Sequence, residues 1–364
     1  KIVNAGGLIL TNRVWLRRMP ETPYTIAAGA DLALDGAALL GPSALNLTDY
    51  SVRVVHDDSV GGDGSVTANA GTAVWFDTMR FVDNRLTNST ASQTYDNDVV
   101  LNGGTARFTG DGTITYTGAL TGTGSAIKDG TGDLVLQGSG SSLSGTLRIV
   151  SGRVLPADET ALGGATVHLN GGRLVNPVGG DLLLATTPVT AQGGGFEVSG
   201  VGETMTVNSV ITGLANVSKW GDGILTLGGS EQNAGLSVHV RGGTLALAKN
   251  GGADAYAVLN VIGVEPDTRV VLAGDNGNQI GGDVALSGGV LDLNGRSETL
   301  GALTNTLAGG SVTNSGAQAA TLTVGAGNVS SAFTGTISDG PAPIALAKIG
   351  TGDFSLPIAS IAYS

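Results

Sequence analysis

Cysteine is absent from this chain of 364 residues, which excludes a disulfide framework and thiol chemistry and leaves the redox compartment open. Charged residues make up only 13%, against about 25% in an average soluble domain. Aromatics make up only 4%, too few for a broad globular core. Positive charge is the scarcer sign, with 18 Lys and Arg against 30 Asp and Glu, a net charge of −12. Nucleic-acid binding needs clustered cations to neutralise phosphates, so no nucleic-acid partner is expected. The same balance argues against docking on anionic lipid. No apolar run approaches the ~18 residues of a membrane span, so no membrane insertion of this segment is expected. The chain opens on Lys1 rather than Met, without a signal-peptide pattern, and a processed product or a segment of something longer is expected.

Glycine, by contrast, is abundant: 61 residues, about one in six. Each glycine inside a helix costs roughly 1 kcal/mol, so a helical protein is unfavourable. Collagen would need glycine at every third position, and that register is missing. Disorder needs low hydrophobicity and many charges, whereas 41% of this chain is hydrophobic. An all-β chain with many tight turns remains.

One phrase recurs three times: Lys128-Asp129-Gly130-Thr131-Gly132, Lys219-Trp220-Gly221-Asp222-Gly223 and Lys348-Ile349-Gly350-Thr351-Gly352. The sixth and eighth residues after each lysine are apolar: Leu134 and Leu136, Leu225 and Leu227, Phe354 and Leu356. Alternation makes a half-buried strand, and the glycines make the turn that enters it. A second phrase sets Gly-Gly before a short apolar strand, as in Gly171-Gly172-Arg173-Leu174-Val175 and Gly242-Gly243-Thr244-Leu245. The interval from Leu136 to Val154 equals that from Leu227 to Leu245, and is read here as roughly one coil of a solenoid. The expected fold is all-β: a right-handed parallel β-helix in a single elongated domain. Residues 1–110 are expected to form irregular coils with longer loops, and residues 111–364 the regular β-helix.

The Lys-x-Gly-x-Gly-x-Leu-x-Leu phrase with its Gly-Gly-x-Leu sequel resembles the autotransporter-associated β-strand repeat, also called the passenger-associated transport repeat. Ala161-Leu162-Gly163 followed by Val167-His168-Leu169-Asn170-Gly171-Gly172 is similar to that family's second half-repeat, and Phe333-Thr334-Gly335-Thr336-Ile337 to the end of its spacer. The resemblance runs over residues 114–356. It implies a secreted or bacterial cell-surface β-helix whose repeats carry no catalysis. The family's C-terminal membrane barrel has no counterpart in these 364 residues.

Candidate chemistry is thin. Asp57 and Asp58 beside His56 are the densest acidic group, but adjacent strand residues point to opposite faces, and a solvated turn is expected. A polysaccharide-acting enzyme would need two carboxylates ~5–9.5 Å apart in a cleft; the acids are scattered singly instead. His56, His168 and His239 lie in different repeats without ligand-spaced partners, and the last two sit in alternating strands, expected on the outer face. Gly61-Gly62-Asp63-Gly64 is a lone fragment of a calcium-solenoid motif. Gly122-x-Gly124 lacks the Gly-Lys-Ser/Thr of a phosphate loop. No catalytic, metal-binding or cofactor-binding residue and no cofactor is expected. Lys128, Lys219 and Lys348 are read as ladder positions whose stems run along the coil and whose ammonium meets an acid such as Asp129 or Asp222; the alternative is a polyanion contact.

Two non-enzymatic functions stand out. One is a stiff structural solenoid that assembles head to tail with itself as a homopolymeric surface fibre. The last phrase breaks off at Ser364, before its glycine-turn strand, and the chain opens with Lys1-Ile2-Val3-Asn4-Ala5-Gly6-Gly7-Leu8-Ile9-Leu10, similar to Leu147–Leu155. Joined end to end, the stretch from Leu356 to Ser364 and on from Lys1 to Ile9 falls one position short of the internal spacing. The expected assembly ends are Lys1, Ile2, Val3, Leu8 and Leu10 with Phe354, Leu356, Ile361 and Tyr363. The other function is an adhesin or spacer segment of a larger passenger, meeting a surface glycan or protein through Arg13, Trp15 and Arg17, which alternate onto one strand face, with Trp75 and Phe76 as further exposed aromatics.

Overall fold

The computed structural model describes residues 99–101, 103–213, 216–251, 256–258, 260–275, 277–305 and 309–357, together with Thr94 and the backbone of the remaining strands. The chain is a parallel β-solenoid in which successive coils lay strand on strand. It divides into two compact units, Lys1–Pro177 and Val178–Ser364. The change in sequence character near residue 110 falls inside the first unit.

Between residues 99 and 156 each coil of the first unit visits three sheets in turn. One coil runs through Leu120–Gly122, Ser125–Lys128 and Asp133–Leu136, and the next through Ser142–Leu143, Thr146–Ile149 and Arg153–Pro156. Corresponding strands pair in parallel: Leu120–Gly122 with Ser142–Leu143, Ser125–Lys128 with Thr146–Ile149, Asp133–Leu136 with Arg153–Pro156. An antiparallel pair, Met79–Val82 with Arg85–Asn88, interrupts the pattern earlier in the unit. The strands are short because inward and outward positions alternate only until the next glycine turn. Asp133–Leu136 places Leu134 and Leu136 inside and Asp133 and Val135 at the half-exposed positions.

Register corrects the sequence reading of the repeat. The partner of Leu134 is Val154, and that of Leu136 is Pro156 rather than Val154. The true coil is therefore two positions longer than the interval read from the phrases, which joins positions that are not neighbours. Leu225 likewise pairs with Leu245, and Leu227 with Leu247. In the second unit the interval then lengthens: Leu245 pairs with Val270, and Leu322 with Leu346. One row of that unit, Met205, Leu225, Leu245, Val270, Leu291, Val312 and Ile337, stacks through seven coils with no member more than 1% exposed. Fully burying each such side chain contributes roughly 1.5–3 kcal/mol. This aliphatic ladder replaces the aromatic core that the composition lacks. In the first unit the corresponding interior includes Phe108 packed edge-on against Tyr116, with ring centres 5.4 Å apart.

The lysine phrase leads from one parallel strand into another in all three copies, but not at one common corner. Lys219 is the last residue but one of Ala215–Trp220, which leads to Ile224–Leu227, whereas Lys348 closes Ile344–Lys348, which leads to Phe354–Ser355; within the second unit those four strands belong to four different sheets. The phrase therefore encodes a type of corner rather than a fixed angular position, since its chemistry is complete within five residues.

Candidate functional site

The repeated lysines are the first residues that the fold explains. Lys128 and Lys219 are 1% and 0% exposed, so their ammonium groups do not reach solvent along the coil. They fold beneath their own turn and bond its backbone. Lys219 Nζ donates to the carbonyls of Trp220, Gly221 and Gly223 at 3.1, 2.6 and 2.7 Å. Lys128 Nζ donates to those of Asp129 and Gly130 at 2.6 and 2.9 Å. Lys348, on the exposed last coil, makes the same bonds to Ile349 and Gly350. An ammonium has three donors, and a tight turn presents several inward carbonyls that no strand partner can reach. The expected acid partner is displaced: the Asp129 carboxylate accepts from Arg107 instead. Burial pushes the Lys219 ammonium down to about 8, while Asp222 and Glu197 act to hold it up. Glycine follows because the turn has no room. Gly130 has φ of +78°, and a Cβ at Gly132 would lie 1.8 Å from the Gly112 carbonyl oxygen of the preceding coil. A polyanion cannot reach ammonium groups held this way at Lys128 and Lys219.

A groove opens on the outer side of the same turns in the first unit. It has a volume of about 580 Å³, and its walls include Asp111, Thr131, Asp133, Ser151, Arg153 and Arg173. Two rows build it. Asp133, Arg153 and Arg173 are register partners on three successive coils. Asp111, Thr131 and Ser151 follow at the same interval on the turns before those strands. Arg153 binds Asp133 through two bonds, Nε to Oδ1 and Nη2 to Oδ2, both 2.7 Å, the geometry in which a guanidinium matches a carboxylate best. Thr131 Oγ1 donates to Asp111 Oδ1 at 2.7 Å, and Ser151 Oγ to the Gly130 carbonyl at 3.1 Å. The groups are thus pre-aimed by bonds across coils.

The second unit keeps its polar groups inside. Gln279, 0% exposed, spans the backbone of Lys249: Lys249 N donates to Oε1 at 2.8 Å, and Nε2 donates to the Lys249 carbonyl at 3.0 Å. Gln279 N in turn donates to Glu298 Oε2 at 2.9 Å. Glu298 is 1% exposed, and burial pushes its carboxyl up to about 8, while the backbone N–H groups of Gln279, Ile280 and Thr299 act to hold it down. Among the described residues Lys249 Nζ is buried without a hydrogen-bond partner, and burial pushes it down to about 8 while Glu231 acts to hold it up. Asn233 accepts from Ile211 N and donates to the Ala257 carbonyl, both at 2.9 Å. Asp292, also 0% exposed, accepts from Asn294 N, Ser315 N and Oγ, and Arg269, which together hold its carboxyl below the usual range. These side chains stand in for ladder bonds where the coil length changes.

Other expected positions separate into three groups. Arg13, Trp15, Lys1, Ile2, Val3, Tyr363, His56, Asp57, Asp58 and Gly61–Gly64 lie outside the described residues. Arg17, Leu8, Leu10, Trp75, Phe76 and Ile361 are placed by their strand backbone alone. His168 and His239 are described and point outward from alternating strands, His239 Nε2 lying 2.5 Å from Glu265 Oε1. Phe354 and Leu356 lie on the last coil and are half-buried. Among the described residues, no three acidic or histidine side chains converge as a metal site, and no helix is long and apolar enough to cross a membrane. The groove was missed because an interval two positions too short hides it; in the true register Asp133, Arg153 and Arg173 fall into line. Lys249, Gln279 and Glu298 carry no sequence signal, since the coils they join differ in length.

The fold defines a parallel β-solenoid, and comparison takes the assignment no further: no family model, curated protein or solved structure matches the chain.

Proposed function

We propose that the chain is a non-enzymatic structural solenoid of the cell exterior that stacks head to tail on further copies of itself. The observation that carries this reading is the last coil. Among the described residues, Ile344–Lys348 and Phe354–Ser355 each end their sheet, paired on one side only. Leu346, Phe354 and Leu356 are half-exposed there, whereas Leu322, the partner of Leu346, and Leu134 and Leu225, the repeat counterparts of Phe354, are no more than 1% exposed. Gly7–Thr11 likewise ends its sheet, in parallel pairing with Asp31–Asp35. An open parallel edge with apolar positions is a template for another strand. Joined copy to copy, such edges would make a heterologous contact that does not close and would grow filaments. The stretch Lys1–Leu10, similar to the strand that follows the lysine turn inside the repeats, is the segment suited to continue the last coil. The extracellular or bacterial-surface setting rests on the resemblance to autotransporter-associated repeats.

Sedimentation velocity over a concentration series, with electron microscopy of the same samples, tests the stacking. Growth into filaments is expected, with loss of growth in Leu346→Lys/Phe354→Lys while the far-ultraviolet spectrum stays β-rich. A monomer at high concentration sinks stacking and favours a spacer or adhesin segment whose next coil belongs to the same chain.

A further inference from the structure

We propose that the groove of the first unit binds a neutral, hydroxyl-rich oligosaccharide lying across the coils. The inference is independent of stacking and uses different residues. The volume, about 580 Å³, lies within the ~300–1,000 Å³ of ligand sites. The lining is polar and formally neutral: Asp111 and Asp133 balance Arg153 and Arg173. A site of that balance recruits neither a polyanion nor a free cation, and the net charge of −12 repels polyanions further. Sugar hydroxyls donate and accept at once, so they are satisfied by a wall that alternates carboxylate acceptors, guanidinium donors and the hydroxyls of Thr131 and Ser151.

The coil geometry supplies the spacing. Asp133, Arg153 and Arg173 occupy one register position on three coils, so functional groups recur at ~4.8 Å. A linear chain of sugars running perpendicular to the strands meets a new set at each coil. Gly132 and Gly152 also line the groove. Asp133 and Arg153 hold each other in two-point geometry, and Asp111 is held by Thr131, so the wall is ordered before a ligand arrives. No aromatic lines the groove, so affinity is set by hydrogen bonds and lies near the millimolar range.

The test is an amide-resolved NMR titration of the whole chain with maltohexaose, cellohexaose and mannohexaose, with polygalacturonate as the acidic comparator. At least one neutral hexasaccharide is expected to shift amides of residues 131–133, 151–153 and 171–173 and few others. Ser151→Trp fills the groove from its wall and should weaken binding at least tenfold; should it unfold, Arg173→Gln takes its place with the same expected direction. Absence of shifts for all three neutral sugars overturns the proposal. So does binding that survives both variants, and so does preferential binding of polygalacturonate.

Discussion

The two units use the same strand chemistry and handle polar groups in opposite ways. In the first, the coils from residue 114 to 175 keep a nearly constant length, so polar residues stack outward in rows and a groove forms along them. In the second, the interval grows by four positions between the Leu225–Leu245 and Leu322–Leu346 pairs, and Gln279, Asn233, Asp292 and Glu298 turn inward to replace missing ladder bonds. A constant coil length leaves few backbone groups for side chains to meet, as Lys128 does at its turn. A changing one leaves backbone donors and acceptors without partners, and each must be met inside, since an unmet buried group costs about 1–3 kcal/mol.

The regular unit breaks most severely at its turns. Gly132→Ala drives a Cβ into the Gly112 carbonyl, where only backbone could yield, and a loss of roughly 4 kcal/mol is expected in urea unfolding followed by circular dichroism. A loss below about 1 kcal/mol would show that the coils separate easily. Next is the aliphatic ladder of the second unit. Leu245→Ala removes a side chain packed between Leu225 and Val270, and about 3 kcal/mol should be lost in the same measurement.

The buried lysines sharpen the comparison by sign. Lys219→Met strands three turn carbonyls and should destabilise by about 2 kcal/mol. Lys249→Met removes an ammonium that has no hydrogen-bond partner among the described residues, so it should be neutral or stabilise by about 1 kcal/mol. Equal destabilisation by both would contradict the division between a lysine that caps a turn and one that fills a space.

The buried titratable groups set the pH dependence. Glu298 takes its proton more tightly folded than unfolded, about 8 against 4.5, so its stabilisation is complete below pH 4.5 and declines as pH rises through 8. Lys249 has the reverse sense, about 8 folded against 10.5 unfolded: its stabilisation is present above 10.5 and is lost as pH falls through 8. Together with Lys219, likewise lowered to about 8, these groups place a minimum of urea resistance near pH 8. Glu298→Gln should flatten the acidic arm alone, and an unchanged acidic arm would show that Glu298 is ionised when folded.

What the residue order determined by itself was local. Sixty-one glycines, strands of alternating Leu and Val, and a phrase that closes within five residues specify an all-β chain of short strands and tight corners, because each of these signals acts over one turn. The parallel solenoid was legible for the same reason, since the phrases repeat. The tertiary structure alone decided everything that depends on which coil lies above which. It set the register that aligns Asp133 with Arg153 and Arg173, where a spacing two positions shorter had hidden the groove. It turned Lys128 and Lys219 inward onto carbonyls, because an ammonium beneath a stacked coil has no path to water. It also put Glu298 against Gln279, on a coil of different length, where burial pushes its carboxyl up to about 8, a shift its neighbours in sequence do not announce.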